Sequence, residues 1–264
     1  MEVDECSMYI CNPATRECIE LPKFNPPQCS KQKFSSEFHS GFGLDTVSKD
    51  FKVVLILYLN NWPDVRTEVQ VYTLSSNSWR TIGEAPVTSM FYFYSAYVDG
   101  SLHWLARDFA RRDSLGKLVV SLNLGSEEFR VFRTPELFYR ADNVQLIAMG
   151  GCLSIVDPFF DDHIEIWLMK EYGVEESWTK FSVSKVCLEG LTPKAISFEK
   201  NSEFKLLANS SELVSYNIDT GNFTSLEVDG VSELPEGCPK FFGAFSFVER
   251  LISLKSACQI EEQP

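Results

Sequence analysis

The amino-acid sequence predicts an all-β, β-propeller-like domain of about five blades, each with four antiparallel strands, over residues 1–264. Three observations predict this fold: a strand–turn–strand unit recurs at intervals of roughly fifty residues, a second series of turns interleaves with the first, and aromatic residues are abundant. The chain contains 21 Phe, 9 Tyr and 5 Trp. Because stacked sheets bury aromatic side chains between their faces, this composition favours strands over helices.

The first recurring unit consists of an apolar strand, a short polar turn and an anchor residue near the start of the return strand. Its copies span residues 8–21, 69–82, 118–132, 164–181 and 213–226. The corresponding anchors are Cys18, Trp79, Phe129, Trp178 and Phe223. The interval between the first two anchors is the longest, and it contains residues 22–40, a stretch with Pro and Ser that is predicted to form an inserted loop.

The second series is a set of hairpin turns flanked by apolar runs. These turns are expected at Lys49-Asp50, Asp99-Gly100, Gly150-Gly151, Asn201-Ser202 and Glu249-Arg250. Two hairpins per period give four strands per period, which matches one propeller blade and is close to the kelch period. The chain starts with the second hairpin of one blade and ends with the first hairpin of another, so its ends can complete a shared blade. The alternative fold is a β-sandwich, which has no fifty-residue period.

Charge and composition restrict the partners. The formal net charge is −13, which argues against nucleic acid, since phosphate binding needs clustered Lys and Arg. The acidic balance suits a basic protein partner, and it also serves solubility. No apolar run reaches the roughly 20 residues that a membrane helix requires, and residues 1–6 are too polar for a signal peptide. We therefore expect a cytoplasmic or nuclear protein with no membrane partner.

The cysteines are expected to be mostly free thiols in such a compartment. Cys6, Cys11, Cys18 and Cys29 cluster in sequence but lack the close Cys pairs of zinc sites. We expect no metal and no cofactor.

Motifs that would indicate catalysis are missing. Gly41-Phe42-Gly43 lacks the remainder of a phosphate-binding loop, so we interpret it as a bend before a strand. His103 lies in an alternating strand pattern that favours a structural imidazole. The segment Asp157 to His163 combines carboxylates with a histidine, which could bind a metal or act in hydrolysis, or could be a solvated loop. The prediction is a binding protein and not an enzyme.

Candidate partner-binding residues lie in predicted loops on the propeller rims, where aromatic and Arg side chains commonly form interface hot spots. They are Trp62, Phe109, Arg111, Arg112, Phe159, Phe160, Asp161 and Tyr172.

Several motifs resemble those of the plant F-box-associated domain. Residues 11–17 contain its "NPATRE" unit, 41–45 and 51–54 are similar to "FGFD…DYKVV", 98–104 to "VNGALHW", and 164–174 with 177–180 to "EIWVMKEYGV..SWTK". Residues 213–217 and 247–251 fit the same family, and the S-locus F-box and F-box/kelch-type proteins look nearest.

The resemblance implies a substrate-recognition subunit of an SCF-type ubiquitin ligase, which selects a target protein for ubiquitin-dependent degradation while other subunits transfer ubiquitin. In the S-locus branch, which acts in self-incompatibility, the targets would be pistil ribonucleases, which are commonly basic. The F-box that binds the Skp-family linker and cullin is not found in these residues, and the "CNGL" strand before "NPATRE" is missing. We therefore expect ligase recruitment only from a longer form. The alternative is a decoy that binds targets without delivering them.

Overall fold

The computed structural model is dominated by β-strands over the residues that it describes. It describes residues 7–24, 33–61, 64–87, 90–107, 117–135, 144–157, 162–184, 193–198, 203–208, 212–217, 219–227 and 251–258. The chain divides into two compact units, each described by itself below. Unit 1 comprises Met1–Phe109, Lys117–Phe132 and Val248–Pro264, and unit 2 comprises Ala110–Gly116 and Arg133–Phe247.

Within its described residues, unit 1 contains one two-stranded and two four-stranded sheets. The two-stranded sheet pairs β1 (Tyr9–Asn12) with β2 (Glu17–Glu20). The next sheet contains β3 (Lys33–Leu44), β4 (Phe51–Asn61), β5 (Asp64–Thr73) and β6 (Ser78–Gly83). The third contains β7 (Met90–Val98), β8 (Ser101–Arg107), β9 (Lys117–Asn123) and β10 (Phe129–Arg133), whose last residue begins unit 2. In both larger sheets each strand pairs with the next strand in the chain, as the hairpin pattern predicts.

The described part of unit 2 contains two more four-stranded sheets with the same strand order. The first holds β11 (Gln145–Met149), β12 (Cys152–Asp157), β13 (His163–Met169) and β14 (Trp178–Ser184), with a turn of 3-10 helix at Glu175–Ser177 before β14. The second holds β15 (Pro193–Phe198), β16 (Glu203–Ala208), β17 (Glu212–Asn217) and β18 (Phe223–Leu226). Their facing side chains form one core that includes Ile166, Phe204 and Tyr216.

The predicted turns and anchors agree with this architecture. Val98 pairs with Ser101, and Met149 with Cys152, so Asp99-Gly100 and Gly150-Gly151 are two-residue hairpin loops. All four turn residues have positive φ, the conformation that such hairpins require. Each of the five anchors lies at the first or second position of a sheet's last strand. The predicted turns at 201–202 and 249–250 lie outside the described residues.

Two sequence-based expectations in the early part of the chain are wrong. The inserted loop predicted for residues 22–40 extends too far, because β3 begins at Lys33 and pairs with β4 through Phe38–Leu57 and His39–Ile56. Pairing with the long apolar strand β4 outweighs the Ser-rich composition of this stretch. Gly41-Phe42-Gly43 is likewise not a bend before a strand, since it lies inside β3.

The glycines of this motif let β3 approach the sheet formed by β7 to β10. A Cβ atom on Gly43 would lie 2.4 Å from Cδ2 of Tyr97, and one on Gly41 would lie 2.7 Å from Cδ1 of Leu102. Only glycine fits such a close approach without displacing its neighbours. The buried core between the two sheets includes Trp104.

A buried ionic network also joins these two sheets. Nζ of Lys52 lies 3.0 Å from Oδ2 of Asp45 and 3.1 Å from Oε1 of Glu127, and it donates to the carbonyl oxygen of Leu124 at 2.6 Å. The side chains of Lys52 and Asp45 are only 8% and 4% exposed. Arg80 pairs with the same Glu127 oxygen. The network connects the β3–β4 turn to the β9–β10 turn.

Residues 251–258, here called the closing segment, pack against the two-stranded sheet. A strand is predicted to follow the turn at 249–250, and this prediction is wrong over residues 251–254. Residues 251–253 have no strand pairing, and the helix α1 (Leu254–Ala257) begins at residue 254. The expected meeting of the chain's early and late parts is nevertheless present. Nδ2 of Asn12 donates to the carbonyl oxygen of Ile252 at 2.9 Å, across 240 positions of sequence.

A disulfide links Cys11 and Cys18, which are cross-strand partners in β1 and β2 with Cα atoms 4.1 Å apart. The expectation of mostly free thiols is therefore wrong for these two residues, while Cys152 and Cys258 are free. Hairpin register explains the bond, since it places these two side chains directly opposite each other. The remaining cysteines lie outside the described part of the chain.

Candidate functional site

Tyr172 is the one predicted partner-binding residue that the structure describes. It is half-buried in the turn between β13 and β14. The other seven, Trp62, Phe109, Arg111, Arg112, Phe159, Phe160 and Asp161, lie outside the described residues.

The turn that carries Tyr172 is ordered by its own hydrogen bonds. The Ser177 hydroxyl accepts the backbone N–H of Glu171 at 3.1 Å, and its proton is within reach of the carbonyl oxygens of Val174, at 2.7 Å, and Glu171, at 3.0 Å. Gly173 has φ of 80°, a conformation that favours glycine. A turn fixed in this way loses little conformational entropy when a partner binds.

A shallow groove of about 260 Å³ lies beside this turn. Its lining consists of Arg133, Thr134, Pro135, Glu175, Glu176 and Trp178. This volume is below the roughly 300–1,000 Å³ that small-molecule sites usually enclose.

Both backbone groups of Arg133 are held at the edge of this groove. Its N–H donates to Oε1 of Glu175 at 2.7 Å, and its carbonyl oxygen accepts the indole N–H of Trp178 at 3.3 Å. The anchor Trp79 in unit 1 makes the same kind of bond, donating its indole N–H to the carbonyl oxygen of Pro22 at 2.7 Å. The two Trp anchors therefore have a shared structural role: each donates to a carbonyl oxygen in the stretch of chain that leads into its own sheet.

The surface around the groove combines an apolar residue with acidic ones. Val174 is 38% exposed, and Glu171, Glu175 and Glu176 are exposed. Sequence reasoning identified Tyr172 in this turn but missed Val174, Arg133 and the two glutamates. The "EYGV" and "SWTK" motifs that flank the glutamates are the sequence signal for this surface.

The segment from Asp157 to His163, weighed above as a hydrolytic or metal site, contributes described side chains to a salt-bridge cluster. Nδ1 of His163 lies 2.6 Å from Oδ1 of Asp162, and its Nε2 lies 3.7 Å from Oε1 of Glu165. That carboxylate pairs with Nζ of Lys180 at 2.8 Å. Within the described ranges, no group of three or more His, Cys, Asp or Glu residues is arranged to hold a metal ion.

His103 occupies the structural position that its strand pattern predicts. It is fully buried on β8, with Nδ1 3.1 Å from the carbonyl oxygen of Ala96. Burial lowers its pKa to about 4, because the charged imidazolium loses its hydration. The imidazole is therefore neutral at physiological pH.

Comparison with known proteins gives one family. A family model described as the F-box associated beta propeller domain matches residues 2–234. The chain is 31% identical to F-box protein At3g07870 of Arabidopsis thaliana, over 85% of this chain and 62% of that protein. It is 26% identical to F-box protein CPR1 of the same plant, over 93% of this chain and 63% of that protein. The chain thus spans less than two thirds of the length of these relatives.

A membrane-spanning helix is not found in the part of the chain that the structure describes.

Proposed function

The chain belongs to the F-box associated β-propeller family, and on that premise we propose that it is the substrate-recognition domain of an SCF-type ubiquitin ligase adaptor. In this role it binds a target protein and presents it for ubiquitin-dependent degradation in the cytoplasm or nucleus. The observation that carries the proposal is the family match over residues 2–234, together with relatives that are named as F-box proteins. A Skp-family linker and a cullin would join through an F-box in a longer form.

The domain itself acts by binding, and other ligase subunits transfer ubiquitin. What supports a binding role is the ordered turn at Tyr172 and the adjoining groove, which is small enough for one partner side chain. The exposed Val174 supplies apolar contact area, and the surrounding carboxylates suit a basic target. The net charge of −13 would speed association with such a target.

Affinity capture with matched surface variants tests this proposal. The tagged chain is incubated with plant extract in which the proteasome is inhibited, and bound proteins are quantified by mass spectrometry. Val174→Asp places a charge in the proposed contact surface, and Val47→Asp is the control, because Val47 is 80% exposed in a turn of unit 1. Authentic targets are expected to be captured by the wild type and the control but reduced at least tenfold with Val174→Asp.

The second step measures degradation. Targets selected in this way are expected to carry ubiquitin and to persist longer in plants that lack this protein. Unchanged target lifetimes would contradict the ligase role but not the proposed location of the binding surface. Equal capture by all three baits would contradict the location of that surface.

A further inference from the structure

The "NPATRE" turn, residues 12–17, binds the closing segment, a contact that has no part in the proposed function. Asn12 and Glu17 are cross-strand partners at the ends of β1 and β2, and both bind the closing segment. Oδ1 of Asn12 accepts the N–H of Ala14 at 3.0 Å, which orients the amide so that Nδ2 donates to the carbonyl oxygen of Ile252. The first residue of the motif therefore both shapes the turn and binds the segment.

Glu17, the last residue of the motif, binds the start of helix α1. Its Oε2 accepts the N–H of Leu254 at 2.5 Å, and its Oε1 accepts the Ser253 hydroxyl at 3.0 Å. Ser253 is the N-cap of the helix, where backbone N–H groups have no partner inside the helix. The carboxylate thus supplies an acceptor that the helix lacks.

The closing segment covers apolar core. Leu254 and Cys258 are 4% and 3% exposed, and they pack with Ile10, Ile19 and Tyr72. Release of the segment would expose these side chains to water.

The Cys11–Cys18 disulfide is next to Asn12 and Glu17, the cross-strand pair that binds the closing segment. Cys11 and Cys18 precede and follow Asn12 and Glu17, and both cysteines are exposed to solvent. A hairpin of two four-residue strands is marginally stable without further support. In the loop-entropy description, a crosslink that closes about eight residues favours the formed hairpin by about 60-fold.

We propose that the Cys11–Cys18 pair is a redox switch for the closing segment. The oxidised pair holds the hairpin in the geometry that binds residues 252–254, and reduction weakens that binding. A low-molecular-weight thiol such as glutathione is the reductant: its thiolate attacks one sulfur, forms a mixed disulfide and releases the other cysteine as a thiolate. A second thiol then attacks the mixed disulfide, which leaves two cysteine thiols and one oxidised glutathione after two electrons have been transferred.

Hydrogen exchange on the full chain tests the switch. The amide of Leu254 donates to Glu17 across this contact, and those of Ala257 and Cys258 donate to the carbonyl oxygens of Ser253 and Leu254. All three should exchange about tenfold faster in excess reduced glutathione than in the oxidised protein. The expected factor is smaller than the hairpin effect, because Ile10 and Ile19 also hold the hairpin in place. Peptide mass mapping verifies the state of the Cys11–Cys18 bond in each sample. Equal exchange in both states would overturn the proposal.

Cysteine variants show which thiols respond. The Cys11→Ser/Cys18→Ser double variant should exchange at the fast rate under both conditions, whereas Cys152→Ser should keep the response of the wild type. A response that survives in the double variant would overturn the assignment.

The reduction potential of the Cys11–Cys18 pair is an independent measurement of the same coupling. By thermodynamic linkage, binding of the closing segment must stabilise the disulfide as much as the disulfide stabilises binding of the segment. Glu17→Gln weakens the contact with Leu254 and should raise the reduction potential of the pair, by about 30 mV for each tenfold loss of coupling. Glu20→Gln is the matched control, since Glu20 is on the same strand and bonds to Ser7. Identical potentials for the two variants would overturn the coupling.

Discussion

Replacement of Lys52 by methionine tests whether the buried ionic network stabilises unit 1. Lys52→Met keeps most of the side-chain volume and removes the charge, so it leaves the carboxylate of Asp45, which is 4% exposed, without its cation. Removing one partner of a buried ion pair usually costs about 3–5 kcal/mol. Asp45 keeps bonds from Ser48 and from the backbone N–H of Val47, so we expect a loss of about 3 kcal/mol, at the lower end of that range.

The effect should depend on pH. In the wild type, burial raises the pKa of Asp45, but hydrogen bonds from Lys52, Ser48 and two backbone N–H groups outweigh burial and lower it to about 2. Its contribution to stability is therefore complete above the ordinary value of 3.8 and is lost as the pH falls through about 2. Without Lys52 the opposing effect of burial gains weight, and the carboxyl can protonate in the folded state at higher pH. The difference between wild type and variant should shrink as the pH falls from 7 to 4.

The assay is equilibrium unfolding in urea. Hydrogen exchange of the β4 amides is the readout, so that the unfolding of unit 1 is observed. Arg66→Met is the matched control: Arg66 pairs with Glu84 in the same sheet, but the two side chains are 61% and 50% exposed, and such surface pairs contribute about 0–1 kcal/mol. A loss for Lys52→Met that equals the control at pH 7, or that is the same at pH 7 and pH 4, would refute the reasoning.

Three further predictions concern unit 1. Burial lowers the pKa of His103 from 6.5 to about 4. The free energy of unfolding should therefore be highest above pH 6.5 and fall by about 3 kcal/mol as the pH drops to 4. Urea unfolding across this range measures the fall, and His103→Gln should abolish this part of the pH dependence. Gly43→Ala places a methyl group against the ring of Tyr97, whose hydroxyl donates to the carbonyl oxygen of Leu44 at 2.7 Å. Such overpacking should lower the free energy of unfolding by about 1–3 kcal/mol, which is measured as a lower Tm. An unchanged Tm would mean that the ring moves freely. Trp79→Phe leaves the carbonyl oxygen of Pro22 without its donor, and should cost about 1–2 kcal/mol in the same measurement.

The sequence predicts the repeated parts of the fold well. The anchors and the hairpin turns at Asp99-Gly100 and Gly150-Gly151 depend on local chemistry, namely an apolar strand, a turn residue with positive φ and a return strand. Such signals repeat from sheet to sheet, and each copy strengthens the interpretation of the others. The family motifs extend the prediction to nearly the whole chain, and the family model matches residues 2–234.

Features that depend on neighbouring sheets are not visible in the same way. The glycines of β3 are explained by Tyr97 and Leu102, more than fifty residues away in the chain. The closing segment is apolar enough to be taken for a strand, and its helix is explained by the Ser253 cap, by the contact with Glu17 and by core packing of Leu254 and Cys258. The groove beside Tyr172 is formed by residues from two separate stretches, so no single motif predicts it.

The contact between Asn12 and Ile252 also sets an order of events during synthesis. A ribosome that adds about 5–20 residues per second needs about 12–48 s to make the 240 positions between them. During that interval Ile10 and Ile19 of the first hairpin have Val53, Tyr72 and Leu74 to pack against, but Leu254 and Cys258 of the same core cluster have not been made. We therefore expect this part of the core to stay incompletely covered, and the nascent chain to be most prone to aggregation, until residues 251–258 emerge.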